Sequence, residues 1–196
     1  MPDAPLIAHS LAEAYLYLMA NPCPSCGKGP LRGREPSASG SSEPRAQASG
    51  ALASPPPVTL SAECTSCHSA SPWTFQLPKP LDAKEANPPP LLNPTDEPSR
   101  ILDVAQWITL FRMISTTADN QSDKQASRRL RIEAGQCLEE ALKFYEPDND
   151  LPPTGAFFHQ GSRDRLRANP EQFSCQRLLG LRNKLPTESR LRPESD

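Results

Sequence analysis

The chain has 196 residues, of which 24 are proline, and its mean hydropathy is -0.58. Such a polar, proline-rich composition predicts that only part of the length packs into a core. The net charge is -2 and the pI is near 6.0, which excludes a general electrostatic attraction to nucleic acid or anionic lipid. Any such attraction must come from a local patch.

The first part of the chain does not resemble an export signal. Asp3 stands where a secretory signal carries Lys or Arg, and Glu13 interrupts the apolar run that follows. Another apolar stretch, Ile101 to Ile114, contains Asp103 and Arg112 and is shorter than the roughly 20 residues of a membrane span. We therefore expect a cytoplasmic protein without a membrane partner.

The N-terminal region predicts a short helix followed by short strands. Apolar residues recur at helical spacing from Ser10 to Asn21, and Pro22 stops the pattern. Three segments favour strands: Pro30 to Gly33, Val58 to Glu63 and Trp73 to Leu77. We expect Trp73 and Phe75 to pack against the N-terminal helix.

Two Cys-x-x-Cys hooks lie between these elements, Cys23-Pro-Ser-Cys26 and Cys64-Thr-Ser-Cys67. A tight turn points both sulfurs of a hook the same way, so two hooks complete the tetrahedron that Zn²⁺ prefers. The hooks are 37 residues apart, where about 15 to 20 is usual. The longer loop costs little, since each doubling costs about 0.6 kcal/mol against roughly 10 to 16 kcal/mol from zinc. The pattern predicts one structural Zn²⁺ in a zinc ribbon.

The same cysteines allow other readings. Cys64-Thr-Ser-Cys67-His68 matches a c-type haem attachment pattern, and Cys23-Pro-Ser-Cys26 resembles a redox dithiol. Haem attachment would leave the first hook unexplained, and the dithiol lacks the following helix that activates such thiols. His68 could also replace Cys67 as a ligand, or all four cysteines could be unrelated core residues.

Composition divides the chain. Residues 1–78 are expected to hold the helix and ribbon, with a disordered insertion at 34–57 that is rich in Ala, Ser, Gly and Pro. A Pro-rich linker follows at 79–98, then a helical region at 99–186 and a flexible tail at 187–196. The predicted fold class is α+β, with short antiparallel β-hairpins around zinc and a C-terminal helical bundle.

The helical region shows four helical segments. Two long ones run from Ser99 to Thr117 and from Ser122 to Glu146, and a short one from Ser162 to Ala168. The fourth begins at Asn169, where Pro170 and a glutamine three residues after the cap form a start signal, and ends near Pro186. Cys137 and Cys175 lie on apolar sides of these helices and are expected to be small core residues.

The C-terminal part carries a local positive charge. Between Gly161 and Pro193 there are eight basic and three acidic residues, a net +5. Six basic residues are candidate nucleic-acid contacts: Arg163, Arg165, Arg167, Arg177, Arg182 and Lys184. The alternative interpretation is a solvated helical face, because no aromatic residues alternate with the arginines as base stacking would require.

The loop at 147–159 carries Asp148, Asp150 and His159, which would form an enzyme site if they converged. It is not a calcium loop, because Pro152 and Pro153 occupy ligand and turn positions. The sequence shows no phosphate-binding glycine loop, nucleophile elbow or His-Glu-x-x-His motif.

Several runs resemble a group of uncharacterised bacterial proteins that join a zinc ribbon to a helical C-terminal region. These are LAEAYLYLMANPCPSCGKGPL, NPTDEPSRILDVAQWITLFRM, AGQCLEEALKFYEPDNDLPP and NPEQFSCQRLLGLRNKLP. The resemblance covers most of the chain outside the insertion. It implies the same four zinc ligands and no catalytic residue.

Three functions remain open on this sequence. A closed four-cysteine site without a catalytic constellation favours a non-enzymatic adaptor or regulator that binds another protein. A nucleic-acid-binding protein using the ribbon and the basic C-terminal helices is the second. An enzyme with its site near 147–159 is the third.

Overall fold

The computed structural model describes residues 4–34, 56–78 and 92–187. The chain divides into two compact units, Met1–Pro90 and Leu91–Asp196, and the described elements make an α+β protein. Most of the predicted insertion, residues 35–55, and the linker residues 79–91 lie outside the described part. So does the tail from 188 onward.

The first unit is a mixed sheet with one helix. Its elements are β1 (Leu6–Ile7), α1 (Leu11–Ala20), β2 (Leu31–Arg34), β3 (Val58–Cys64) and β4 (Ala70–Gln76). The sheet order is β1-β4-β3-β2. β2 pairs antiparallel with β3 and β3 antiparallel with β4, whereas β1 runs parallel to β4.

Helix α1 matches its predicted bounds because its caps are readable in the sequence. The Ser10 hydroxyl accepts a hydrogen bond from the Glu13 backbone N–H at 3.0 Å, and Asn21 forms the C-cap. Tyr17 on the helix meets Trp73 and Phe75 edge-to-face, with ring centroids 5.8 and 5.9 Å away. The predicted packing of β4 against the N-terminal helix is confirmed.

Strands β1 and β4 differ from the prediction. β1 has only two residues, too few for a periodic signal, and was not expected. β4 begins at Ala70, not Trp73, and includes Pro72 opposite Ser61. Within the described residues β1 pairs with β4 only at Phe75 and Gln76, so Pro72 lies on an open edge of the sheet, where its missing N–H is tolerated.

Strand β2 packs closely against α1 at Gly33. A Cβ at Gly33 would lie 2.5 Å from two ring atoms of Tyr15 and 3.2 Å from Leu18 Cδ1. We expect Gly33→Ala to destabilise the chain by about 1 to 3 kcal/mol in urea unfolding, because the overlap forces the helix away from the sheet. The control is Gly180→Ala, at an exposed helical position where an added Cβ meets no atom within 4 Å; this change should stabilise the chain by up to about 1 kcal/mol. Unchanged stability of the Gly33 variant would contradict this packing.

The second unit is helical. It contains α2 (Val104–Asp119), α3 (Lys124–Leu142), α4 (Gln160–Ala168) and α5 (Cys175–Arg182), with 3₁₀ turns at Thr154–Ala156 and Pro170–Phe173. α2 and α3 pack along each other. The fully buried large side chains of this unit form its core: Leu102, Trp107, Ile108, Leu110, Leu138, Phe157, Phe173 and Leu178. Phe157 and Phe173 meet edge-to-face at 5.1 Å.

Helix starts in this unit depend on caps that periodicity alone does not locate. The expected start of the first helix at Ser99 is wrong: Ser99 accepts hydrogen bonds from the next turn, and α2 begins after Asp103, which forms a capping box with Gln106. The expected start of the last helix at Asn169 is also wrong. Pro170–Phe173 forms only a 3₁₀ turn, and Ser174 caps α5 instead.

Residues just before α2 are held against α3. Leu92 and Asn93, which fall in the predicted linker, are buried. The Asn93 side chain donates to the Glu140 carboxylate at 3.1 Å, and Lys143 Nζ donates to the Thr95 carbonyl at 2.6 Å. Glu140 is itself buried and lies 2.7 Å from Lys143 Nζ.

In the part of the chain that the structure describes, no helix is long and apolar enough to span a bilayer.

Candidate metal centre

The two hooks adopt the same backbone turn. In the first, the Cys23 N–H donates to the Lys28 carbonyl at 2.6 Å and the Gly27 N–H donates to the Cys23 carbonyl at 2.8 Å. In the second, the Cys64 N–H donates to the Ser69 carbonyl and the His68 N–H to the Cys64 carbonyl, both at 3.0 Å. Each turn therefore presents its two sulfurs on one side.

Strand pairing brings the two turns together. The first turn lies between α1 and β2, and the second connects β3 to β4. Leu31, at the start of β2, lies opposite Cys64 at the end of β3. The Thr65 N–H and hydroxyl both donate to the Pro30 carbonyl, at 3.2 and 3.1 Å. Both hooks therefore stand at the same end of the sheet.

The four sulfurs form a cluster of the size that zinc requires. All four Sγ atoms lie within 4.8 Å of one another. Cys23 and Cys67 Sγ are 3.7 Å apart, as are those of Cys26 and Cys64. A tetrahedron with Zn–S bonds of about 2.3 Å has edges of about 3.8 Å, so the residues fit a four-thiolate metal site. Zn²⁺ bound there would join the two hooks and hold the end of the sheet together.

Hydrogen bonds and mutual crowding shift the thiols in opposite directions. The Ser69 hydroxyl is the main cause that lowers the pKa of Cys23, to about 6, and it also lowers the pKa of Cys67. For Cys26 the Lys28 backbone N–H lowers the pKa, but burial and the neighbouring thiols outweigh it and raise the pKa to about 12. Four negative sulfurs this close need a cation to coexist, and a metal that binds here displaces protons.

Gly27 and His68 occupy the same position in their turns, with positive φ angles of 68° and 58°. Glycine adopts this conformation freely, whereas a residue with a Cβ is strained by roughly 1 to 2 kcal/mol. We expect Gly27→Ala to lower the free energy of unfolding of the zinc-loaded chain by about 1 kcal/mol in urea titrations.

The matched change at the other turn, His68→Gly, should raise the free energy of unfolding by a smaller amount, because the added glycine also gains freedom in the unfolded chain. Effects of the same sign at both positions would show that the two turns are not equivalent.

The geometry of the cluster disfavours the other interpretations of the cysteines. The His68 ring is exposed, and its Nδ1 lies 3.4 Å from Glu63 on the protein surface. It is not part of the sulfur cluster. The Cys23 and Cys26 sulfurs contact those of the second hook, so neither hook stands alone as a haem attachment or a separate dithiol would. The idea of four unrelated core cysteines is wrong, since their sulfurs converge.

A scan against protein-family models, a search of curated proteins and a search of solved structures each found no match. The assignment of the site therefore rests on its geometry and chemistry. Membership of the bacterial zinc-ribbon group stays a prediction.

The predicted nucleic-acid contacts lie on and around α4 and α5, and several of them bind other parts of the unit. Arg163 donates to the Phe157 and Phe158 carbonyls, and Arg165 donates to the Ala105 carbonyl and the Thr109 hydroxyl. These two guanidinium groups connect α4 to its neighbours.

Of the other basic candidates, Arg167 is exposed, whereas the Arg182 side chain is only 15% exposed. Arg167 pairs with Asp164 at 3.0 Å, and Arg182 pairs with Glu139 on α3. Arg177 and Lys184 are exposed. The basic surface is thus partly occupied by internal ion pairs, and nucleic-acid binding by these residues stays a prediction.

The three candidate residues of the 147–159 loop do not line one common groove. Asp148 and Asp150 line one shallow groove with Cys175, and His159 is not among its lining residues. Asp150 accepts hydrogen bonds from the Ser174 hydroxyl and the Gln176 N–H, at 3.0 and 3.1 Å. Asp150 therefore supports the start of α5, a role that accounts for its carboxylate without catalysis.

Ser69 is a residue of the metal centre that sequence reasoning missed. Its hydroxyl lies 3.0 Å from Cys67 Sγ and 3.5 Å from Cys23 Sγ. The only signal in the sequence is its place two residues after Cys67, which does not show that it also reaches the first hook.

Proposed function

We propose that this chain is a non-enzymatic, cytoplasmic zinc-ribbon protein that acts as a protein-interaction adaptor or regulator, with Zn²⁺ in a structural role. The observation that supports it most is the convergence of Cys23, Cys26, Cys64 and Cys67, whose sulfurs lie within 4.8 Å of one another. Four protein ligands complete the coordination of zinc and leave no position for a substrate. The membership of the bacterial zinc-ribbon group belongs to the same proposal.

The interaction role is supported by the surface of the helical unit. Phe158 is 37% exposed although it stacks edge-to-face on Phe144, with centroids 6.2 Å apart. Leu151 and Leu179 are 43% and 45% exposed. Aromatic side chains that remain accessible are typical of surfaces that bind other proteins.

Nucleic-acid binding is the alternative, and one observation favours it. Arg32, Arg34 and His68 line a groove of about 580 Å³ beside the second hook, so a positive surface lies on the ribbon as well as on α4 and α5. Glu63, which pairs with Arg34 and lies near His68, offsets part of that charge.

The test is affinity purification of the tagged full-length chain from its source cells, with and without nuclease treatment of the lysate. The adaptor role predicts a defined protein in fixed stoichiometry that survives nuclease. Recovery of nucleic acid, with affinity falling by several powers of ten between about 50 and 200 mM salt, would favour the alternative. A catalytic turnover abolished by one substitution outside the hooks would contradict the proposal.

A further inference from the structure

We propose that Ser69 is a positioning residue of the metal centre. Its hydroxyl donates to Cys67 and contacts Cys23, and it thereby slows the loss of zinc from the exposed side of the site. The inference rests on the proposed structural zinc and adds a residue outside the four ligands. It is drawn from the place of one hydroxyl oxygen between sulfurs of both hooks, 3.0 Å from one and 3.5 Å from the other.

The four ligands are unequally protected. Cys23 and Cys64 are buried, Cys26 is half-buried and Cys67 is exposed. A chelator or an oxidant therefore reaches Cys67 first. The Ser69 hydroxyl contacts this most accessible sulfur. A hydrogen bond to Cys67 should therefore affect the rate of zinc loss more than a hydrogen bond to a buried sulfur would.

The two turns differ at this position. Lys28 is the counterpart of Ser69, since each supplies the carbonyl that accepts the N–H of the first cysteine of its hook. Backbone donors are also repeated: the Ser25 N–H points to Cys23 Sγ and the Ser66 N–H to Cys64 Sγ, both at 3.4 Å. The side-chain hydroxyl at Ser69 is an addition of the second turn alone.

The chemistry of such a contact is known in general terms. A thiolate bound to zinc keeps negative charge, and a hydroxyl that donates to it offsets that charge and fixes the direction of the sulfur. Ser69 has one proton to donate, and the shorter distance gives it to Cys67. Cys23 Sγ lies 3.5 Å from the same oxygen, in contact with it but without a share of the proton.

The experiment measures zinc transfer from the full-length chain to an excess of a chromogenic chelator, with the cobalt-substituted form as a second readout. Ser69→Ala is expected to speed zinc release by about 10- to 100-fold and to shift the sulfur-to-cobalt charge-transfer band. The matched control is Ser66→Ala, because Ser66 contacts sulfur only through its backbone N–H, and its rate should equal that of the wild type.

Two further variants separate the hydroxyl from the fold of the turn. Ser69→Thr keeps a hydroxyl, and Ser69→Val has the shape of threonine without the hydroxyl. The Thr variant should therefore release zinc about as slowly as the wild type, and the Val variant about as quickly as Ser69→Ala. Equal rates for Thr and Val, or for Ser69→Ala and Ser66→Ala, would overturn the inference while leaving the zinc site intact. A wild-type chain that binds no zinc would refute the proposed function, and the inference with it.

Discussion

Replacing Cys64 with alanine is expected to abolish stoichiometric zinc binding and unfold the sheet of the first unit. Cys64 is fully buried at the end of β3, and its sulfur lies 3.7 Å from that of Cys26. Structural zinc contributes on the order of 10 to 16 kcal/mol at pH 7 in small zinc modules. A net stability of 5 to 15 kcal/mol is usual for a whole domain, so loss of the metal exceeds what the unit can tolerate.

The first unit has few other interactions that could replace the stability contributed by the metal. Its larger buried apolar side chains are Leu16, Leu18, Leu31, Leu60, Phe75 and Leu77. Small modules with such cores depend on metals or disulfides for stability. The described cysteines of this unit form no disulfide.

Hydrogen exchange followed by mass spectrometry measures this prediction by segment. Peptides from β3 and β4 should lose protection in Cys64→Ala, and in the wild type after chelation. The control is Cys175→Ala in the helical unit, which should keep its zinc and the protection of both strands. Retained protection of β3 and β4 in the metal-free wild type would contradict a structural role for the metal.

Asp103→Ala is expected to destabilise the helical unit by about 2 to 4 kcal/mol. The Asp103 carboxylate is fully buried and serves two purposes. One oxygen accepts the Gln106 N–H at 2.9 Å and caps α2, and the other accepts the Phe158 N–H at 3.1 Å. The substitution removes the cap and leaves a part-buried N–H without its partner.

The control for this prediction is Asp123→Ala. Asp123 caps α3 through the Gln125 N–H at 2.9 Å but is exposed, so its loss should cost only about 1 kcal/mol. Urea unfolding followed by helical circular dichroism gives both values. Equal losses for the two variants would mean that the contact from Asp103 to Phe158 contributes nothing.

The four-cysteine cluster was predictable because most of its information is local. Each Cys-x-x-Cys turn fixes two sulfurs within four residues, and two such turns admit few other uses. Helix α1 was predictable for the same reason, since Ser10 and Asn21 lie directly beside it. The α+β class followed from the period of each segment.

Features that depend on distant partners were not predictable. β1 exists because Leu6 and Ile7 align with Phe75 and Gln76, a pairing across about 70 residues that leaves no pattern in a two-residue strand. The start of α2 shifted because Asp103 supplies both the cap and a tertiary bond. The partners of Arg163 and Arg165 are carbonyl and hydroxyl groups brought near by packing, so charge counting overstated the free basic surface.

Native mass spectrometry of the purified full-length chain, with and without chelator, tests the structural zinc site most directly. One Zn²⁺ per chain, lost on addition of chelator together with a shift to higher charge states as the first unit unfolds, is the result that four converging cysteines predict. A chain that carries no metal, a covalent mass increase matching haem, or a metal that leaves without any change in folding would contradict a structural zinc site.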